Sequence, residues 1–273
     1  MGGHAVHHRG DGADVGLAVS RSFRFAVPSG SGLDASAAKR LQAFLESRLQ
    51  RDCVVSAIDG YDAIAMSLLS GTVDAAWAPP LVCARLEQAG APVALRCIRH
   101  GTSSYRAAIV VRATTDVSLV NVGRQRAVWT EASSIAGHRL PAAWLKARRG
   151  GAEPPDPDLF AGSYRGALEA VLEGQGGVTS VFAPGVRVAG EPVTGLQEIW
   201  PERASWFRVL ALTDEAPNDG VATSPTLTRD VKRALTEALR SLGETVYGQT
   251  LLHECFRAER FEPAPAGSYR ALY

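Results

Sequence analysis

Lysine is almost missing from this chain. Of 29 basic residues only Lys39, Lys146 and Lys232 are lysines, and the rest are arginine, which together with the high alanine and glycine content fits a GC-rich coding sequence. Set against 28 acidic residues they leave a formal net charge of +1, too little for a broad basic field, so no nucleic-acid partner is expected. No run approaches the roughly 18 consecutive apolar residues of a spanning helix, so no membrane insertion is expected. The four cysteines, Cys53, Cys83, Cys97 and Cys255, show no CxxC spacing, which argues against a zinc site or a thioredoxin motif. Cys53, Cys83 and Cys97 lie in apolar segments, where a free thiol behaves as a small buried hydrophobe. Catalytic signatures are missing too: there is no G-x-S-x-G, no H-E-x-x-H and no P-loop, and His100, His138 and His253 are scattered along the chain. The expectation is therefore no catalytic residue, no metal and no cofactor.

What is present is ordinary globular material: 273 residues, 46% of them hydrophobic, enough for one large domain or two smaller ones. The first 22 residues, MGGHAVHHRGDGADVGLAVSRS, lack the apolar core and small-residue cleavage site of a secretory signal and read as a loose leader. His4, His7 and His8 there offer metal-binding groups, but a polar terminal tract rarely orders.

The organising stretch is Tyr61 to Pro80, YDAIAMSLLSGTVDAAWAPP. Ile64, Leu68 and Leu69 share a helical face, Gly71 suits a left-handed helix stop, and Val73–Trp77 reads as a strand covered on both sides. Pro79 and Pro80 open the next helix. In α/β layouts ligands collect where strands end and helices begin, so Tyr61 and Trp77 are candidates to line one crevice, with plain core as the alternative. Around this stretch strands at 23–27, 54–57 and 93–98 alternate with helices at 37–49 and 81–88, which argues for a largely parallel sheet. Asp34 or Ser36 caps the first helix.

Beyond residue 100 the pattern changes. Tyr105–Val111 is a long extended run after the polar GTSS, and Arg126–Trp129 is a second one. Thr130-Glu131-Ala132-Ser133-Ser134 then leads into a helix from Gly137 to Arg148. Hydroxyls and backbone N–H groups at a helix start form a natural anion seat, though the same pattern also serves as an ordinary cap. FAGSY, a helix over 165–173, a strand over 178–182, an extended run over 206–212 and helices over 228–243 and 248–254 complete the chain. No internal repeat is visible.

Four features occur in one order: the Tyr-x-x-Ile helix running into G-x-V-D-x-A-W, Gly-x-x-x-Tyr at 101–105, the serine-rich loop before Gly137 and Pro141, and F-A-G-S-Y with A-L-x-A-V-x-x-G at 160–174. On these the chain resembles the phosphate/phosphite/phosphonate-type (PhnD-like) substrate-binding proteins of ABC importers, from about Phe23 to the C-terminus. The resemblance implies a two-lobed α/β type II periplasmic-binding-protein fold, with hinge strands near 105–112 and 206–212 and ligand in the interlobe cleft. It divides the chain into the leader 1–22, lobe 1 (23–104 plus 213–273) and lobe 2 (105–212). It also implies a monomer, a small-molecule ligand and an ABC permease as partner. The implied compartment is periplasmic, or cytoplasmic if the chain as written is complete without a signal.

Ligand positions carry over where residues match. Tyr61, Tyr105, Ser134 and Asp219 match two tyrosines, the first hydroxyl of a Ser-Thr-Ser anion cradle and an acidic residue of the returning chain. Ile135 and Ala136 replace the next two cradle hydroxyls, and Tyr164 replaces a histidine. Those changes remove charge-assisted hydrogen bonds of about 1.5–3 kcal/mol each, so a phosphonate dianion is poorly served. Thr130 and Ser133 are substitute donors. The reading is a non-enzymatic receptor for an anionic or zwitterionic solute. A cytoplasmic ligand sensor and an enzyme on the same scaffold are the alternatives; no helix-turn-helix module precedes Phe23, so a sensor would act through a partner.

Overall fold

The structure, a computed structural model, describes residues 21–29, 33–150, 156–185 and 194–272. The leader up to residue 20, with its three histidines, lies outside the described residues, as do parts of the loops at 30–32 and 151–155.

Lobe 1 is built on a six-stranded sheet in the order β12-β4-β11-β3-β1-β2. Its strands are β1 (Phe23–Pro28), β2 (Cys53–Ile58), β3 (Ala75–Ala78), β4 (Val93–Ile98), β11 (Gly220–Thr223) and β12 (Arg260–Pro263). β1 pairs in parallel with β2 and β3, whereas β11 runs antiparallel between β3 and β4. Side chains alternate across a strand, and here both faces are buried. Phe25, Val27, Ala75 and Trp77 pack under α1 (Ala35–Leu49), α7 (Arg229–Ser241) and α8 (Val246–Phe256). Ala26, Ala76 and Ala78 face α2 (Tyr61–Leu69) and α3 (Pro80–Gln88) on the other side.

Lobe 2 hangs on β5 (Ser104–Arg112), which pairs antiparallel with β8 (Thr179–Pro184), β9 (Phe207–Leu212) and β10 (Ala216–Pro217). Ala108 and Val110 enter one core with α5 (Tyr164–Leu172) and Leu196 of α6 (Thr194–Ile199); Ile109 and Val111 enter another with Leu145 of α4 (Leu140–Arg149). β6 (Val128–Trp129) and β7 (Leu159–Phe160) form a short parallel pair. The chain leaves the first sheet through Arg99–Ser103 and rejoins it at Gly220. No helix among the described residues is long and apolar enough to cross a membrane.

Several elements depart from the sequence reading for identifiable reasons. β3 begins at Ala75 rather than Val73, because the Asp74 carboxylate takes the Arg24 N–H at 2.8 Å and the Arg21 guanidinium at 2.6 Å. Asp34, not Ser36, caps α1, accepting from Ala37 N at 2.7 Å. The helix expected from Gly137 begins earlier, as a π turn over Ile135–Arg139 that runs into α4. Pro141 has no N–H to give Gly137, whose carbonyl instead accepts from Thr130 N at 3.2 Å. The sheet is less parallel than expected, since β11 and β12 were both missed. All four cysteines are buried and free.

Candidate binding cleft

The turn that returns the chain to lobe 1 forms the floor. Asn218, buried, donates through Nδ2 to Cys97 O at 3.1 Å and Thr102 O at 2.9 Å. Its own carbonyl accepts from the Tyr269 hydroxyl at 2.8 Å. A Cβ on the following Gly220 would stand 2.7 Å from that hydroxyl and 2.9 Å from Leu95 O, so the close approach requires glycine.

This scaffold lifts Asp219 into a cavity of about 1090 Å³ between the lobes. Lobe 1 contributes Trp77, Arg99 and Asp219; lobe 2 contributes Tyr105, Tyr164 and Phe182. Asp219 is not a free carboxylate. Arg99 pairs with it at 2.5 Å and is itself held by the carbonyls of Phe256 and Arg257 at 3.0 and 2.8 Å. Burial opposes the Arg99 cation, but Asp219 outweighs it and the guanidinium pKa is raised.

Two phenols, Tyr105 and Tyr164, share this cavity with the pair, and a third, Tyr61, lines a smaller hollow. Burial drives the Tyr105 pKa well up, and the charge of Asp219 adds to the rise. Tyr61 is raised by burial, then by Asp219 and Glu131. Tyr164 is raised by burial against an opposing hydrogen bond with Ser134. All three therefore stay protonated at neutral pH and present O–H donors. The Tyr164 ring stands edge-on to Phe182 at a centroid distance of 5.7 Å. Beside this cavity a smaller hollow of about 250 Å³ is lined by Tyr61, Leu81 and Arg85 from lobe 1 and by Ser133 and Arg139 from lobe 2.

The eight residues singled out from sequence are thus distributed as follows. Trp77, Tyr105, Tyr164 and Asp219 line the larger cavity; Tyr61 and Ser133 line the smaller one. Ser134 caps the π turn, its hydroxyl accepting from Gly137 N at 3.1 Å and meeting Tyr164. Thr130 is buried, its Oγ1 has no hydrogen-bond partner, and a Cβ on Gly137 would overlap it. Trp77 is mainly core, edge-on to Phe256 at 6.0 Å, with only its rim at the cavity. Sequence reasoning missed Arg99, Asn218 and Phe182. Arg99 stands just before a tight His100-Gly101 turn, the signal that would have pointed to it.

An aromatic-walled cleft between two α/β lobes, with a charged pair at its floor, is the geometry of a protein that takes up a small solute. The chain belongs to the family described as "ABC transporter, phosphonate, periplasmic substrate-binding protein", which matches residues 27–269. Among solved structures it is similar to XAC2383 from Xanthomonas citri, described bound to chloride ion (18% identity, 92% of this chain, 94% of that one, TM-score 0.74) and bound to ATP (TM-score 0.72). It is also similar to PhnD1 from Prochlorococcus marinus in complex with methylphosphonate, at 13% identity over 92% of this chain and 95% of that one, TM-score 0.65. A binding-protein component of an ABC phosphonate transporter from Pseudomonas aeruginosa gives 14% identity over 92% and 84%, TM-score 0.64. No curated protein sequence matches the chain.

Proposed function

We propose that this chain binds a small zwitterionic or weakly anionic solute between the lobes 23–104 plus 213–273 and 105–212, and presents it to an ABC permease without chemical change. The observation that carries the reading is an interlobe cavity in which Tyr105 and Tyr164 stand with an acid already neutralised by Arg99, while Tyr61 lines a smaller hollow between the same lobes. Phenol faces cover the apolar part of a solute while their hydroxyls donate to its polar end. Ser133, Ser134 and the start of the π turn supply the remaining donors, with Thr130 behind them. Named relatives hold ATP and methylphosphonate. Here Ile135 and Ala136 are buried apolar residues where hydroxyl donors would otherwise stand, so a doubly charged phosphonate meets few donors.

The test is a thermal-shift screen of amino-acid-like zwitterions and small anions, with hits titrated by calorimetry. A ligand at 100 times its dissociation constant stabilises by about 2.7 kcal/mol. Inorganic phosphate and 2-aminoethylphosphonate are expected to bind weakly or not at all, and sub-micromolar binding of either would overturn this reading of the cradle. Tyr61→Phe and Tyr105→Phe should each cost about 0.5–1.5 kcal/mol of affinity for a hit with the melting temperature nearly unchanged. Tyr61 is 40% exposed, so Tyr61→Ala should fold normally and still bind poorly. Unchanged affinity in both Phe variants would remove the tyrosines from the site.

A further inference from the structure

Eleven ion pairs link described residues, and ten of them stay within one lobe or its crossing segments. The exception joins His100 Nε2, on the lobe 1 turn, to Glu198 Oε1, on α6 of lobe 2, at 3.5 Å. Both residues line the larger cavity. We propose that His100 and Glu198 form a latch across the cleft that favours the closed arrangement of the lobes.

The backbone supports this assignment. His100 and Gly101 have φ of 50° and 72°, and Arg99 and Thr102 exchange both backbone hydrogen bonds at 3.0 Å. That is a two-residue hairpin whose first position favours glycine or asparagine. A histidine there is strained, and such strain persists only where the surroundings over-determine it. They do: Gly101 N donates to Glu259 Oε2 at 3.0 Å, and the Arg99 guanidinium is fixed to Asp219, Phe256 and Arg257. The turn is thus a rigid arm that carries the imidazole out toward lobe 2. α6 is equally anchored, with Leu196 in the lobe 2 core. Ser104, four residues beyond His100, already belongs to β5, so the arm stands beside the crossing where lobe motion would pivot.

Both side chains are partly exposed, so the pair should shift the closed-to-open ratio about two- to five-fold. The experiment places spin labels at Ala43→Cys on α1 and Ala147→Cys on α4; the native thiols are buried and do not compete. Interlobe distance distributions are then compared in ligand-free protein for His100→Asn, Glu198→Gln, the double variant and His100→Gly. Each single change should reduce the short-distance population by that factor, and the double variant should do no more than either alone. His100→Gly relieves the strained turn, so its melting temperature should hold or rise while closure falls. A merely structural histidine would move the two readouts together. Unchanged distributions in both single variants, or an additive double variant, would overturn the latch.

Discussion

Asp158→Asn should destabilise the protein by about 3 kcal/mol, with the loss centred on lobe 2. Asp158 accepts from four donors: Arg149 Nη2 at 2.9 Å and Nη1 at 3.3 Å, Trp129 Nε1 at 3.0 Å and Ala127 N at 3.1 Å. It therefore ties β6, α4 and the segment before β7 into one joint. The Arg149 side chain is 12% exposed and its Nε has no partner of its own. Without the carboxylate a guanidinium is left buried and uncompensated, which costs more than the pair itself contributes. Burial alone would raise the Asp158 pKa, but the hydrogen bonds from Arg149, Ala127 and Trp129 outweigh it and lower the folded value below the ordinary 3.8. The group thus binds fewer protons folded than unfolded. Its stabilisation is complete above the usual aspartate range and is lost as pH falls through the lowered folded value. Denaturant melts from pH 7 to pH 2.5, followed by tryptophan emission, should show an acid-side loss in the wild type that is reduced in Asp158→Asn. Identical acid profiles for the two proteins would show that the joint does not behave this way.

Trp77→Ala should cost about 3–5 kcal/mol, as large aromatic truncations in cores do. Trp77 is 7% exposed and packs against Phe256, which also meets Phe25 and Phe261 edge-on at 6.2 and 5.0 Å. Removing the indole opens a void at the centre of this cluster, directly beneath the cavity that holds Asp219. Trp77→Phe keeps most of the packing. Because Trp77 Nε1 has no hydrogen-bond partner, deleting it leaves no polar group stranded, and Trp77→Phe should lose well under half as much. Chemical denaturation of both variants checks the ranking. A Trp77→Ala protein as stable as Trp77→Phe would mean that the indole is a lining group rather than core.

The alternation of apolar strands and periodic helices made the first half of lobe 1 legible, because parallel strands buried on both faces are written as short apolar runs. β11 and β12 were not legible. Each has four residues, and β11 (Gly220–Thr223) carries one glycine and one threonine, so neither length nor periodicity marks it. Positions that line the interlobe hollows were legible where a residue follows a turn, as with Tyr61 and Tyr105. The Arg99 partnership was not, because Arg99 and Asp219 are 120 residues apart and their contact depends on the turn geometry on both sides. Likewise, nothing in the spacing of the serine-rich loop announced a π turn. It arises from the pairing of Thr130 with a carbonyl that Pro141 leaves open.

The position of β11 bears on the order in which the chain can assemble. β3 and β4 are not hydrogen-bonded neighbours; β11 lies between them and hydrogen-bonds to both. A ribosome must therefore make every residue through Thr223 before the sheet of lobe 1 can close. The second sheet is drawn from one continuous span between Ser104 and Pro217, and its first pairing, β5 with β8, can form once Pro184 has been made. During synthesis the earlier-made lobe should then be the later to mature, with β1, β2 and β3 presenting an unpaired edge until the chain comes back. Such distant pairing slows folding and leaves strand edges exposed to aggregation. The nascent protein is most vulnerable over that interval, and the Tyr269 hydroxyl that ties down Asn218 arrives later still.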